Sequence, residues 1–392
     1  MHYSLTTGPG LDATADVALD VVPDVAPDLA ANKAPDMASG TPAGAAAQPG
    51  SASVTLEGRI HSISLAAEGI FLLDIRPVDD QPFPAATPGA HIDLHLPNGM
   101  VRSYSTVNSP EDTGRYLIAV KNEAAGRGGS RLIHAELRVG QVLPIGGPRN
   151  NFTLREDAAH SVLIAGGIGI TPIYSMVQRL QRQGRSWELH YAAADPRHAA
   201  FAAQLRTLQP RVRFYFNSEQ ARGQTAGHQT EDGQQGDCLL PGCQPLDRQP
   251  LDLHKLIADS RADADFYCCG PQGMLAAFAT ATAAIDPARV HAEYFSAVDA
   301  PAAEGGFEVV LQQSGKRCHV QRGETILDAV LKLGVDVPYS CMEGVCGSCE
   351  ARVLEGTPDH RDLILSKAER QMNDRMMICC SGSHTARLIL DL

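Results

Sequence analysis

Three patterns of hydrophobic and polar positions follow one another along the chain. The first consists of short alternating runs separated by Gly and Pro, and in one of them Ile92, Leu94 and Leu96 share a strand face that ends at a Pro-Asn-Gly turn. Several short strands of this kind predict a small antiparallel β-barrel over residues 53–152.

The second pattern alternates continuous apolar runs with helical periodicity. The run VLIA at 162–165 suits a strand that is buried on both faces. After the glycines that follow it, we expect Thr171 to cap a helix, Pro172 to be its first residue and Gly184 to end it. Alternating strands and helices predict a parallel α/β domain over residues 153–299.

The third pattern follows a linker at 300–306. A hairpin, a helix ending at Gly334 and further strands predict a compact α+β domain over residues 307–392. Two segments show no such periodicity. Residues 1–52 are rich in Ala, Asp, Pro and Gly and predict a disordered extension, and residues 218–237 predict a polar loop insertion.

Composition and charge argue against two kinds of partner. The 392 residues carry a formal net charge of −12, whereas nucleic-acid binding draws on clustered Lys and Arg. No run approaches the roughly 18 apolar residues of a membrane span, and the start lacks a basic and apolar signal sequence. These features favour a cytoplasmic protein with no nucleic-acid or membrane partner, and in a reducing compartment clustered cysteines more often bind metal than form disulfides.

A loop with three cysteines carries the most specific signal in the sequence. Cys341, Cys346 and Cys349 have the C-x4-C-x2-C spacing of plant-type [2Fe-2S] ligation, and the adjacent pair Cys379 and Cys380 follows. Only one of that pair is expected to bind, because adjacent side chains on an extended segment point to opposite sides. A structural zinc site and a set of unrelated thiols are the alternatives, although zinc sites more usually repeat C-x2-C.

The remaining motifs are ambiguous when each is taken alone. A strand arginine such as that of RSYS is usually a solvated charge, and GRGGS is as easily an ordinary turn. AGGIGITP lacks the G-x-G-x-x-G fingerprint and is explained equally well by strand-to-helix packing. The second cysteine of CCGPQGM reads as a buried small hydrophobe, and a lone Phe in EYFSA reads as a core residue.

Taken together and in this order, these motifs resemble those of the phthalate dioxygenase reductase and vanillate demethylase reductase family. The resemblance covers about residues 53–392, including YSCMEGVCGSC and MMICCSG. It implies a flavin barrel, a nicotinamide domain and a plant-type ferredoxin domain of the β-grasp type. It also implies that electrons pass from NADH through FMN and a [2Fe-2S] cluster to a Rieske-type oxygenase component acting on an aromatic compound, in a dioxygenase or O-demethylase system.

The resemblance also implies roles for individual residues. Ser105 and Cys269 correspond to positions at the site of hydride transfer, and the pattern Met-x2-Cys-x-Ser selects Cys379 as the fourth cluster ligand. Because Ser105 alternates with Arg102 and Tyr104 along a strand, a bend is needed for all three to meet one flavin. The implied flavin and nicotinamide residues are Arg102, Tyr104, Ser105, Ala119, Val120, Lys121, Arg127, Gly128, Gly129, Ser130, Gly166, Gly167, Gly169, Thr171, Pro172, Asp195, Gly270, Pro271 and Phe295.

Two choices stay open in the sequence. Asp195 follows an apolar strand, where an acidic residue would bind a ribose hydroxyl of NADH and repel the phosphate of NADPH. It also precedes Pro196 and therefore suits a helix cap, and Arg197 would suit a phosphate. For the chain as a whole, a reductase serving another acceptor and a non-enzymatic redox sensor are the alternatives.

Overall fold

The computed structural model describes five ranges of the chain, within which the elements fall into three successive groups. The predicted extension at 1–52 and the predicted insertion at 218–237 lie outside these ranges, as does most of the predicted linker. No helix in the described part of the chain combines the length and apolar character needed to cross a membrane. The described ranges are 55–79, 81–124, 126–216, 250–295 and 305–392.

The first group is an antiparallel sheet of six strands with one helix. A bridge between Thr106, which follows β4, and Ile118 in β5 joins the two edges of the sheet into a barrel. Ile92 and Leu94 are fully buried, which confirms the predicted apolar face. The elements are β1 Thr55–Ala67, β2 Ile70–Pro77, β3 His91–His95, β4 Val101–Ser105, β5 Tyr116–Lys121, α1 Gly129–Glu136 and β6 Val142–Arg149, in the strand order β4-β3-β6-β1-β2-β5.

The second group is a parallel sheet of five strands, as predicted, with every residue of its central strand β7 buried. The predicted helix starts earlier than expected. A 3-10 turn leads into it, Gly169 is its N-cap, and Thr171 lies inside it with its hydroxyl donating to the carbonyl of Ile168. The elements are β7 Ser161–Gly166, α2 Ile170–Arg182, β8 Trp187–Ala193, α3 Ala202–Arg206, β9 Val212–Phe216, α4 Leu253–Asp259, β10 Asp265–Cys269, α5 Gln272–Ala281 and β11 Val290–Glu293, in the order β11-β10-β7-β8-β9.

The third group is a mixed sheet with two short helices, which matches the predicted α+β domain. Helix α6 begins at a capping box formed by Thr325 and Asp328, and the left-handed Gly334 follows its end. The cysteine loop runs from the end of this helix region into β14. The elements are β12 Phe307–Leu311, β13 Lys316–Val320, α6 Ile326–Lys332, β14 Glu350–Glu355, β15 Pro358–Asp359, α7 Lys367–Met372, β16 Arg375–Met377, β17 Gly382–Ser383 and β18 Arg387–Leu390, in the main sheet order β13-β12-β18-β14-β16.

Candidate functional site

A cavity of about 460 Å³ lies where the three groups of elements meet. This volume is within the range of roughly 300 to 1,000 Å³ typical of ligand and cofactor sites. The barrel, the start of α2, the end of β11 and the cysteine loop all contribute to its wall. The wall includes His91, Arg102, Ser103, Tyr104, Ser105, Ala119, Lys121, Arg127, Gly129, Ser130, Ile168, Thr171, Glu293, Phe295, Cys341, Glu343 and Cys346.

One end of the cavity suits an anion, and we refer to Arg102, Gly128, Gly129 and Ser130 as the anion cradle. The guanidinium of Arg102 lies against the glycine-rich turn, and its Nη2 donates to the carbonyl of Arg127 at 3.3 Å. A Cβ at Gly129 would lie 2.7 Å from Cγ of Arg102, so the close approach requires glycine there. The left-handed Gly128 precedes α1, so the first amides of this helix and the hydroxyl of Ser130 lie beside a fixed cation.

Tyr104 and Ser105 both lie in the cavity wall although they alternate along β4. Ser105 is the last residue of the strand and is buried beside the bridge at Thr106, where the barrel closes. Burial raises the pKa of Tyr104 well above its ordinary value, although the nearby Arg102 opposes the shift, so its phenol stays neutral at physiological pH. The strand end therefore brings a neutral hydroxyl and an aromatic face to the same cavity.

The three predicted flavin residues of β5 have side chains in two places, the cavity wall and the barrel core. Ala119 and Lys121 lie in the cavity wall. The side chain of Val120 packs in the barrel core and its carbonyl is 2.8 Å from Nε2 of His134, so its predicted contact with the flavin stays a prediction. Side chains alternate along a strand, so residues on either side of Val120 share a face that it cannot join.

The glycine motif and the Cys-Gly-Pro motif form two turns that pack on each other. Gly169 lies against the backbone carbonyl of Cys269, and a Cβ at Gly166 would lie 2.6 Å from Cδ of Pro271. Ile168 and Thr171 lie in the cavity wall, whereas the predicted glycines and prolines of these motifs do not. The predicted residues outside the wall are Gly166, Gly167, Gly169, Pro172, Gly270 and Pro271.

Cys269 is fully buried in the α/β core and is not in the cavity wall. Burial, with smaller effects from Glu293 and Cys268, raises the pKa of its thiol well above the ordinary value. Its predicted position beside the nicotinamide stays a prediction. The buried thiol remains protonated and neutral at physiological pH.

Glu293 is one of the cavity residues that the sequence motifs did not reveal, with His91, Ser103 and Glu343. It pairs with Cys269 across β10 and β11, lies in the cavity wall, and has a buried Oε2 with no hydrogen-bond partner. Burial raises its pKa from 4.5 to about 8. The available signal was its place two residues before Phe295, which is 42% exposed and lines the same cavity.

This carboxyl predicts a pH dependence for flavin reduction. Its folded-state pKa lies above the ordinary value, so the group is neutral at pH 7 and becomes an anion as the pH rises through about 8. The anion would stabilise the positive charge that a nicotinamide ring gains on losing hydride. We expect stopped-flow flavin reduction at saturating NADH to become faster above pH 8 in the wild type and to lose this transition in Glu293→Gln.

Glu188→Gln is the matched control, because this carboxylate lies in the same sheet but pairs with His190 and His160. It should keep the transition. An unchanged pH profile in Glu293→Gln would contradict the assignment of the transition to that carboxyl.

Asp195 takes the capping role that the sequence left open. Its Oδ1 accepts from the backbone amide of Arg197 at 2.8 Å, and Pro196 follows at the first position of a 3-10 turn. Nδ1 of His198 lies 3.0 Å from the same oxygen. Arg197 lies within 3.4 Å of both Asp195 and Glu68, so its charge is already shared between two carboxylates.

The predicted cluster ligands come together in one place. We refer to residues 340–349 as the cluster loop. Cys341, Cys346, Cys349 and Cys379 are all buried, and Cys379 interacts with the thiols of both Cys341 and Cys349. Sγ of Cys380 instead lies 3.7 Å from the carbonyl of Met377. This arrangement supports Cys379 as the fourth ligand.

The four buried thiols are a donor set that suits a two-iron cluster. Within the described ranges, no group of three or more His, Cys, Asp or Glu side chains is arranged to hold one metal ion. A [2Fe-2S] cluster divides four thiolates between two irons, so the thiols need not converge on one point. Thiol contacts followed by burial raise the pKa of Cys346 and Cys349, and bound iron would supply the positive charge that stabilises their thiolates.

The cluster loop is tightly wound around its first cysteine and Gly344. The amide of Glu343 donates to Sγ of Cys341 at 3.3 Å. Gly344 has φ of 69°, and a Cβ there would lie 2.5 Å from Sγ of Cys380. Because a side chain at this position would collide with Cys380, glycine allows the loop backbone to lie close to that residue.

Comparison with protein-family models divides the described chain in the same way. An oxidoreductase FAD-binding domain matches residues 83–154, an oxidoreductase NAD-binding domain matches residues 163–280, and a 2Fe-2S iron-sulfur cluster binding domain matches residues 309–382. The predicted order of flavin, nicotinamide and ferredoxin domains is therefore confirmed.

Similar proteins share this whole arrangement. The chain is 49% identical to the phenoxybenzoate dioxygenase subunit beta of Ectopseudomonas oleovorans, over 85% of this chain and 96% of the relative. It is 42% identical to the tetrachlorobenzoquinone reductase of Sphingobium chlorophenolicum, over 86% and 98%. The solved structure of phthalate dioxygenase reductase, described as modular for electron transfer from pyridine nucleotides to [2Fe-2S], is similar with a TM-score of 0.64 and 31% identity, over 86% and 98%.

Proposed function

The chain belongs to the phthalate dioxygenase reductase family, and we propose from this premise that it is the NADH-oxidising reductase component of a Rieske-type oxygenase system acting on an aromatic compound. The single observation that carries the proposal is the shared cavity. Residues of the nicotinamide domain and the cluster loop lie in the wall of one barrel cavity, so a flavin held there would contact both the electron source and the exit.

The residues around the cavity suit a two-electron to one-electron relay. A bound flavin supplies the chemistry that accepts a hydride and releases electrons singly. Thr171, Glu293 and Phe295 form the side of the cavity that belongs to the nicotinamide domain. Cys341 and Cys346 lie on the cluster-loop side of the same wall, which supports a short path from a flavin in this cavity to the cluster.

We favour FMN over FAD because Arg127 of the glycine-rich turn is bonded to the cluster loop next to the residues that would hold a phosphate. The guanidinium of Arg127 contacts the carbonyl of Cys341, and its Nε lies 2.9 Å from a carboxylate oxygen of Glu343. This bridge links the glycine-rich turn to the cluster loop next to the cradle. One phosphate fits beside Arg102 and Ser130, whereas the second half of FAD would have to displace the bridge.

We favour NADH over NADPH from the charges around Asp195. Its carboxylate lies at the end of β8, where it would repel a 2′-phosphate. The nearby cation that would suit a phosphate, Arg197, is shared between Asp195 and Glu68. A ribose with free hydroxyls therefore suits this edge of the sheet better.

One observation favours a second class of electron acceptor, the quinones. A relative 42% identical over 98% of its length is named a tetrachlorobenzoquinone reductase, so direct reduction of a quinone is the competing function. A quinone would take electrons without an oxygenase component.

One experiment tests the proposal and separates the two acceptors. The purified holoprotein should yield FMN on mass spectrometry of the released flavin, with two irons and two sulfides per chain as the cluster type requires. NADH-dependent product formation should require a co-expressed Rieske oxygenase and exceed the rate with NADPH. Release of FAD would overturn the flavin assignment, and rapid quinone reduction without any stimulation by the oxygenase would favour the quinone reductase.

A further inference from the structure

We propose that Asp93 is a positioning residue that holds the cluster loop against the flavin cavity through Ser340, and thereby sets the rate of electron transfer from flavin to cluster. The inference rests on the proposed function, because it concerns the internal electron step. Asp93 is a buried carboxylate outside the cavity wall, so the proposed flavin binding and hydride transfer give it no role.

Asp93 lies in β3 with 5% of its surface exposed, and its carboxylate is fully engaged. Its Oδ1 accepts from the hydroxyls of Ser340 at 2.6 Å and Ser103 at 2.8 Å, and its Oδ2 lies 2.7 Å from Nη2 of Arg149. Burial raises the pKa of Asp93, but Arg149 and the two hydroxyls outweigh this effect and lower it below the ordinary value. The group is therefore an anion, and an anion makes stronger hydrogen bonds than a neutral acceptor.

The hydrogen bond to Ser340 connects the carboxylate of Asp93 to the cluster loop. Ser340 belongs to the ferredoxin domain, is 2% exposed and immediately precedes the ligand Cys341. Its hydroxyl also lies 2.9 Å from that of Ser103 in β4. A buried charge needs to be paired, and Arg149 alone would satisfy that need within the barrel. Pairing of the charge therefore does not account for the hydrogen bond to Ser340, which joins the barrel to the cluster loop.

Two further barrel side chains hold the same loop. Arg127 contacts Cys341 and Glu343, and Nδ2 of Asn151 donates to the carbonyl of Cys346 at 3.0 Å. Arg127 is also in the cavity wall, so replacing it would disturb flavin binding as well. Asp93 and Ser340 are outside that wall, which allows their effect on the loop to be measured separately from flavin binding.

A matched control exists in the same barrel. Asp74 is a buried carboxylate that pairs with Arg76 at 3.1 Å and Arg115 at 3.2 Å, both in the barrel. If Asp93 only stabilised the barrel, Asp74→Asn and Asp93→Asn would have similar consequences. If Asp93 positions the cluster loop, only its replacement alters the electron step.

The test uses the holoprotein with Asp93→Asn, Ser340→Ala, Ser340→Thr and Asp74→Asn. Stopped-flow spectra after mixing with NADH would follow flavin reduction and cluster reduction separately. We expect the rate of flavin reduction to stay within about twofold of the wild type. Cluster reduction should be slowed roughly tenfold in Asp93→Asn and Ser340→Ala, because loss of one charge-assisted hydrogen bond lowers the fraction of molecules whose cluster loop lies against the barrel by about that factor. Ser340→Thr keeps the hydroxyl and should restore the rate, and Asp74→Asn should change neither rate.

Hydrogen exchange of the backbone amides at 340–346 provides a readout that is independent of electron flow. Exchange should be faster in Ser340→Ala and unchanged in Asp74→Asn. Unchanged exchange and cluster reduction in both Asp93→Asn and Ser340→Ala would overturn the inference, as would an equal slowing of flavin reduction. A wild type in which NADH reduces the flavin but never the cluster would refute the proposed function instead, while the exchange data would still decide whether the loop is held.

Discussion

Replacing Cys346 by Ser is expected to abolish NADH-dependent cytochrome c reduction while NADH still reduces the flavin. Cys346 is one of four buried thiols of the cluster site and also lies in the wall of the flavin cavity. Loss of a ligand should lower the rate of cytochrome c reduction by roughly a hundredfold or more, since even outer contacts of metal ligands are worth 10 to 100-fold. In the proposed function, hydride is taken up at the side of the cavity formed by the nicotinamide domain, a step that needs no iron.

The measurement compares two activities in one preparation. Flavin reduction is followed anaerobically by the loss of flavin absorbance, and cytochrome c reduction is followed in steady state. Full cytochrome c activity in Cys346→Ser would refute the order flavin, then cluster, then acceptor.

Adjacent cysteines supply the control for this variant. Cys379→Ser should behave like Cys346→Ser, because Cys379 interacts with two other thiols of the site. Cys380→Ser should retain iron and activity, since its sulfur points to the carbonyl of Met377. The opposite pattern would transfer the fourth ligand from Cys379 to Cys380.

Replacing Arg102 by Ala is expected to raise the dissociation constant for FMN roughly 10 to 100-fold. Its guanidinium is fixed against the glycine-rich turn, and burial and the nearby Arg127 lower its pKa, so an anion there would be strongly attracted. A hydrogen bond between charged groups contributes about 1.5 to 3 kcal/mol, which corresponds to that range. Titration of the flavin-free protein with FMN, followed by fluorescence, measures the change.

Two further variants serve as comparisons for Arg102→Ala. Arg102→Lys should recover part of the affinity, because lysine keeps the charge but not the planar fork of donors. Arg59→Ala removes a barrel arginine that contacts only the carbonyl of Gly140 in the hydrogen bonds described, and should leave FMN affinity unchanged. Equal FMN affinity in Arg102→Ala and the wild type would exclude Arg102 from phosphate binding.

Much of the fold was predictable because the signals are local. The alternation around Ile92, the continuous apolar run of β7 and the left-handed Gly334 each depend on a few consecutive residues. The cysteine spacing is local in the same sense, since one loop supplies three thiols. Local geometry also accounts for the different environments within β5, because the period of a strand separates the side chain of Val120 from those of its neighbours.

Other features depend on which surfaces meet. Whether Cys269 faced a cavity or the core depended on how β10 packs, and the structure buries Cys269 in the core while Glu293 beside it lines the cavity. The place of Glu293 two residues before Phe295 was the one sequence signal for this difference. Burial of a side chain is set by neighbours that are distant in the chain.

By itself, the sequence determined the order of the domains, the periodicity of their elements and the set of cysteines that suits a two-iron cluster. Only the tertiary structure decided that the cluster loop forms part of the flavin cavity and that Asp93 bonds to Ser340, 247 residues away. Spacing and periodicity are properties of neighbouring residues, which a linear sequence displays directly. Contacts between domains arise when separately folded surfaces dock, and their partners are specified by shape and charge that no single segment contains.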